Sequence, residues 1–330
     1  MSTLCEEHPK TKKSHTQKPK PRQKKRYKRT PRKDLYEEVT QKIIKEIEAG
    51  RLPWVQPWAR PDVKAPLGLP VNAKTSNEYS GVNIVLLWVA GMETARTTPF
   101  WLTYKQAQDL GGQIRKGEKA TTVCYADSFI PKDERERAKA EDIEPNKVRF
   151  LKRYNVFNAD QCEGLAEAFY ETVPPLGERE IIPIAERLIK NTGINFNIGG
   201  DRAFYDLESD SVQVPHQQYY DDQINYYRTC FHELGHATGA EHRLDRDFFK
   251  DPTLENRAKE ELVAEICAAM ICASLHIEPT VRHSDYVGDW LQLLKNDTKA
   301  IFKAASQASK AANYVLSFLD HPSRTHETQH

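Results

Sequence analysis

The spacing of apolar residues divides the chain into predicted elements. In DLYEEVTQKIIKEIEAG, Val39, Ile43, Ile44 and Ile47 recur at helical intervals. Asp34 stands where an N-cap belongs and Gly50 where a helix stops. Residues 80–90, SGVNIVLLWVA, form an apolar block with no polar face and must be core. PFWLTYKQAQDLGGQIRKGEKATTVCY predicts a short strand, a helix from about Thr103, and a hairpin with Arg115, Lys116, Gly117 and Lys119 at its tip. Residues 132–146 are charged and predict an exposed insertion, and Val148, Phe150, Tyr154 and Val156 then alternate as a strand does. ETVPPLG at 171–177 predicts a linker. Beyond it come an amphipathic helix (IIPIAERLIKNTG), a hairpin over 203–214, helices over 226–239 and 255–277, and a helical closing segment over 290–319.

At 330 residues, with 39% hydrophobic content, the chain has the length of two domains, each able to bury a core. No apolar run is long enough to span a membrane, so no membrane partner is expected. The N-terminus is polar and basic and carries no secretory signal, and the six cysteines form no C-x-x-C pair. A reducing cytoplasm is the expected compartment. The net charge of +1 hides an asymmetry. Residues 1–33 carry nine lysines and four arginines against Glu6 and Glu7, a net of +11, which leaves −10 for the rest. This segment has almost no large apolar residue and is expected to be disordered and to attract nucleic acid.

The chemistry concentrates at His232-Glu233-Leu234-Gly235-His236, an H-E-x-x-H motif. Residues four apart share a helix face, so both imidazoles can reach one zinc ion, with Glu233 beside them as general base. The third ligand is open between two classes. HELGHATGAEH also matches the longer metzincin pattern ending at His242, but Met270, the one methionine beyond the motif, lies in a helical stretch with no turn. The alternative is a later helix, where Glu261 and Glu265 are four apart on a face of small apolar residues. Carboxylates there are costly unless paired or metal-bound. Glu261 is assigned as ligand and Glu265 as the acid that orients a ligand histidine, the reverse order being the alternative; Glu260 is expected to face solvent. Gly235 is expected to let a neighbouring backbone approach. Val212 to Pro215 is the candidate substrate-binding edge strand, and His216, Tyr219 and Tyr220 are candidate oxyanion donors.

Four of the five tryptophans lie in the first half, with basic residues among them. Rings that stack on bases beside cations that meet phosphates suit single-stranded nucleic acid. The candidates are Trp54, Trp58, Trp101, Tyr104, Lys105, Arg115, Lys116 and Lys119, while Trp88 belongs to the apolar block.

DLYEEVTQKIIKEIEAG, PW-x-x-PW, N-EYSGVNIVLLW, FWLTYKQAQDLGGQIRKGEK and YNVFNADQCEGL resemble the N-terminal domain of ArdC-type antirestriction proteins, which also opens certain plasmid primases. FHELGHATG, RLDR at 243–246 and EELVAEI resemble that family's zincin-like domain. The resemblance covers residues 34–320; the basic tail departs from it, as does Arg257, where an aromatic residue is usual. It implies an α+β protein in two domains: a small mixed α+β single-stranded-DNA-binding domain over 34–170 and a zincin-like metallopeptidase domain over 178–320. It also implies Zn2+ held by His232, His236 and Glu261, and a mobile-element protein that shields incoming DNA from restriction. The alternatives are an active protease that cuts DNA-bound proteins or host restriction components, in the manner of SprT-type enzymes, and a DNA-binding scaffold with a structural metal.

Overall fold

The computed structural model describes residues 34–55, 68–171, 178–246, 251, 253–277 and 286–320. The basic segment 1–33, Trp58 and most of the expected linker lie outside the described residues.

Helix α1 (Leu35–Glu48) starts where the Asp34 carboxylate accepts from the Tyr36 amide and ends before Gly50, whose φ of 72° is costly for other residues. The apolar block becomes α2 (Val82–Glu93) and is buried on nearly every side, as its lack of a polar face requires. Between and after these helices runs a mixed sheet in the order β1-β2-β5-β4, built from β1 (Val71–Asn72), β2 (Phe100–Leu102), β4 (Thr121–Phe129) and β5 (Val148–Asn158). Helix α3 (Tyr104–Asp109) begins with a capping box between Thr103 and Gln106.

The hairpin expected around Arg115–Lys119 does not form. Strand β3 (Gln113–Ile114) pairs with β6 (Cys162–Glu163), while β4 pairs with β5 through nine residue pairs from Thr121↔Val156 to Phe129↔Val148. The charged excursion is α4 (Lys132–Glu141), an exposed helix at the far end of this β4–β5 ribbon.

The second half opens with α5 (Glu178–Asn191) and a three-stranded sheet in the order β7-β9-β8: β7 (Asn195–Ile198), β8 (Phe204–Asp206) and β9 (Ser211–Val214). The β8–β9 hairpin falls where the alternation placed it, but β7 covers the other side of β9. Val212 to Val214 therefore lie in the central strand, with Pro215 just beyond it, and β8 takes the edge assigned to them. Four helices follow: α6 (Gln223–Ala237), α7 (Leu254–Ser274), α8 (Val287–Asn296) and α9 (Ala300–Leu316). Alanines at 300, 304, 305, 308, 311 and 312 let α9 lie close along α7, whose facing residues are also small.

The two halves share a core. Val39, Ile43 and Ile47 of α1 and Val82, Ile84, Val85, Leu86 and Trp88 of α2 pack in one cluster with Phe231, Met270, Trp290 and Ile301. Tyr36 meets Phe302 edge-on at 4.7 Å, and Trp54 meets Trp290 at 5.4 Å. Among the described residues no helix is long and apolar enough to cross a membrane.

Candidate metal centre

Asp222 caps α6 by accepting from the Ile224 amide, and the helix carries His232, Glu233 and His236 as its last two turns. Gly235 sits where α6 crosses α7; a Cβ there would lie 3.1 Å from the Ala264 Cα. Glycine thus brings α7 close enough for Glu261 to reach both histidines.

The three proposed donor atoms converge. The Nε2 atoms of His232 and His236 are 3.1 Å apart, and Glu261 Oε2 is 3.3 Å from the first and 3.6 Å from the second. Two ligands each about 2.0–2.1 Å from a tetrahedral ion are separated by roughly 3.4 Å, so the triangle fits one zinc-sized ion. Among the described residues these three form the one group with metal-ligating geometry. His242 is not in it: the side chain is 60% exposed and its Nε2 lies 3.2 Å from Asp210. Met270 is buried inside α7 rather than in a turn.

Behind the donors the other ring nitrogens also face carboxylates. His232 Nδ1 is 3.3 Å from Glu265, the acid expected to orient a ligand histidine. His236 Nδ1 is 3.3 Å from Glu260. Glu260 is buried, contrary to the expectation that it faces solvent, because α7 presents that side to α6 and to the RLDR segment. Each carboxylate is held in turn by a buried guanidinium. Arg228 Nη2 donates to Glu265 at 2.9 Å. Arg246 clamps both oxygens of Glu260 and donates to Thr238 Oγ1 and the Gly235 carbonyl. Two Arg–Glu–His chains therefore converge on one point. Their sequence trace is Arg228, one turn before His232 on the same helix face, and Arg246 in RLDR.

Electrostatics follow from this packing. Burial disfavours charge on both imidazoles, but Glu261 and Glu265 outweigh it and hold His232 up at about 9. Glu260 and Glu261 hold His236 up at about 10 in the same way. Glu261 suffers the cost of burial too, yet the two histidines lower it. Glu233 behaves differently: burial raises its carboxyl, even though the two histidines and, least, the Tyr205 backbone pull it down. Tyr205 belongs to β8, which packs against α6, so the edge strand runs beside the proposed base. Of the candidate oxyanion donors, His216 and Tyr219 are exposed and meet edge-to-face, while Tyr220 is half-buried and its hydroxyl is pushed up chiefly by burial, with the Glu233 charge adding to it.

The nucleic-acid candidates separate. Trp54 and Trp101 are 0% and 2% exposed, one against Trp290 and the other among Leu87, Val123 and Val156. Rings packed in this way cannot receive a base, and both assignments are corrected to core. Arg115 ties β3 to the Asp160 and Cys162 carbonyls and to Glu118, a structural use of its charge. Tyr104, Lys105, Lys116 and Lys119 are exposed.

Comparison with known proteins agrees with this architecture. Residues 33–157 match the N-terminal domain of anti-restriction factor ArdC, and residues 183–307 match a zincin-like metallopeptidase domain. The crystal structure of the antirestriction ArdC protein from plasmid R388, metal-free, superposes with a TM-score of 0.73 at 36% identity, covering 88% of this chain and 100% of that one. Its Mn(II)-bound structure gives 0.71 at 34% identity, with coverages of 87% and 99%. An uncharacterized protein of Sinorhizobium fredii, y4eC, is 38% identical over 289 residues, 86% of this chain and 91% of its own length. The DNA primase TraC of Escherichia coli is 35% identical over 305 residues, 87% of this chain but 20% of the primase, so the chain spans a fifth of that protein. With both domain types in order and a relative covered end to end, the chain belongs to the ArdC antirestriction family.

Proposed function

We propose that this protein is a mobile-element antirestriction factor that binds single-stranded DNA in the cytoplasm and hydrolyses peptide bonds at a zinc centre. The observation that carries the reading is the convergence of His232, His236 and Glu261 beside Glu233. Two imidazoles and a carboxylate suit Zn2+, and a site of three protein ligands is that of a catalytic zinc rather than the closed set of a structural one. When bound, the ion supplies Lewis-acid polarisation and an acidified water. The residues do the rest. Glu233, raised by burial, takes a proton on its carboxylate and returns it to the departing amine. The outer edge of β8 accepts a peptide as an added strand, with the Tyr205 backbone close to the base. Glu260 and Glu265 fix which nitrogen of each histidine faces the ion. The first 33 residues, at +11, add sequence-independent attraction to phosphates. The buried free cysteines suit a reducing compartment.

Metal analysis and a restriction-protection assay on entering DNA test the reading together. Glu261→Ala should lose the metal and His242→Ala should keep it; the opposite pattern refutes the ligand set. Glu233→Gln should retain metal and DNA binding but lose protection. Full protection by this variant would mean that the protein coats DNA without hydrolysis.

A further inference from the structure

Trp54 and Trp101, singled out in the sequence, are buried, so the aromatic surface for a single strand is sought elsewhere among the described residues. Of the eleven large apolar side chains exposed among the described residues, five lie between 125 and 154: Tyr125, Phe129, Ile143, Val148 and Tyr154. Near its base the β4–β5 ribbon is covered, with Val123 and Val156 packed against Leu87 and Trp101. From Tyr125 outward every β4 residue is exposed.

Strand alternation sorts the ribbon into two faces. The pairings Tyr125↔Lys152, Asp127↔Phe150 and Val123↔Tyr154 put Tyr125, Asp127, Phe129, Phe150, Lys152 and Tyr154 on one face. Tyr125 and Tyr154 meet edge-to-face at 5.8 Å, and Phe129 and Phe150 meet at 5.9 Å. The two ring pairs are four residues apart along each strand, roughly 13 Å at the usual strand rise. Lys152 lies between them in sequence, its Nζ 4.5 Å from the Phe150 ring centre. The face therefore alternates ring pair, cation, ring pair. Asp127, the one acid on these two strands, is engaged locally: it accepts from the Tyr125 hydroxyl and the Ser128 amide. Lys152 is the cation on this face; Arg149 and Arg153 fall on the opposite face of β5, and Arg153 is engaged by Glu38.

We infer that this ribbon face is a stacking platform for single-stranded DNA, with bases on the Tyr125/Tyr154 and Phe129/Phe150 pairs and a phosphate at Lys152. The inference rests on the single-strand reading proposed above and gives it an address. Rings accept any base, and a cation between ring pairs meets the backbone between stacked bases, which is sequence-independent recognition. Duplex DNA keeps its base faces stacked on one another and offers this surface only phosphates.

Fluorescence anisotropy of a labelled oligothymidylate with the full chain tests it, with a matched duplex in parallel and Ile198→Ala as an exposed apolar control off the ribbon. Tyr154→Ala and Phe129→Ala should each weaken single-strand binding by roughly 5- to 140-fold, the range expected for one lost base stack. Lys152→Ala should weaken it less and flatten its salt dependence. Duplex affinity should change little with either ring variant, and unchanged thermal unfolding would show that these exposed positions are not needed for folding. Ribbon variants that bind as tightly as the parent overturn the inference while single-strand binding stands. So does a change of oligomeric state in place of DNA affinity, which would mark the face as a contact between copies. A parent chain with no preference for single strands would overturn the underlying reading itself.

Discussion

The α6–α7 centre and the β4–β5 ribbon use charged and aromatic side chains in opposite ways. At the centre each histidine faces a carboxylate and each of those carboxylates a guanidinium, all within a packed helix pair. On the ribbon, Tyr125, Phe129 and Tyr154 stand open to solvent, Phe150 is half-buried, and the rings touch one another in pairs. The difference matches the two tasks proposed above. Bond cleavage demands donors held to within a fraction of an ångström, which only a supported, buried constellation provides. Stacking on arbitrary bases demands accessible faces and tolerates some motion. Burial therefore separates the two kinds of site better than residue type does, and the tryptophans show it: Trp54 and Trp101 have suitable chemistry and no accessible surface.

The largest expected effect uses that contrast. Trp54→Ala and Trp101→Ala should each cost about 3–5 kcal/mol of stability, the usual loss for a truncated core aromatic. Urea unfolding measures it, and any loss of DNA binding should follow the unfolding. A Trp101→Ala protein as stable as its parent but weaker on single strands would return that ring to the binding surface and erase the contrast.

Next comes the support of the centre. Arg246→Ala leaves the Glu260 carboxylate buried without its guanidinium, at a cost of about 3–5 kcal/mol. If Arg246 positions His236 through Glu260, metal affinity should also fall about 10- to 100-fold. Titration of the metal-depleted protein separates the two effects. Arg246→Lys should recover part of the affinity, because it restores the charge without the fork. Loss of stability with unchanged metal affinity would confine Arg246 to holding RLDR against α6.

What could be seen in the sequence follows the same division. The convergence of His232 and His236 was legible because four-residue spacing on a helix is a local property of the backbone. Glu261 and Glu265 were legible as carboxylates too costly to sit on an apolar face without partners. Glu260 was misplaced because its environment is made by Arg246, on a segment the sequence ties to no particular helix face. Strand roles failed for a related reason. Whether β9 is an edge depends on β7, and whether residues 113–125 form a hairpin depends on β6, some fifty residues away. The ribbon platform was hidden because alternation shows which residues share a face, not whether anything covers it.

The smallest expected effect compares ion pairs of like chemistry in the two regions. Arg153 on the ribbon donates two bonds of 2.8 Å to Glu38 of α1, a fork as well formed as many buried ones. Both side chains are well exposed, unlike Arg228 and Glu265, which are buried. Water already solvates the exposed partners, so the pair gains little by meeting and must immobilise two long side chains to do so. Arg153→Ala should therefore cost only about 0–1 kcal/mol, and raising the salt should shrink even that. Arg228→Ala, which takes the guanidinium from a desolvated Glu265, should cost about 3–5 kcal/mol with little dependence on salt. Paired urea titrations at low and high salt measure both. A large, salt-insensitive loss for Arg153→Ala would mean that this pair fixes the ribbon to α1, and that the platform is held almost as firmly as the metal centre.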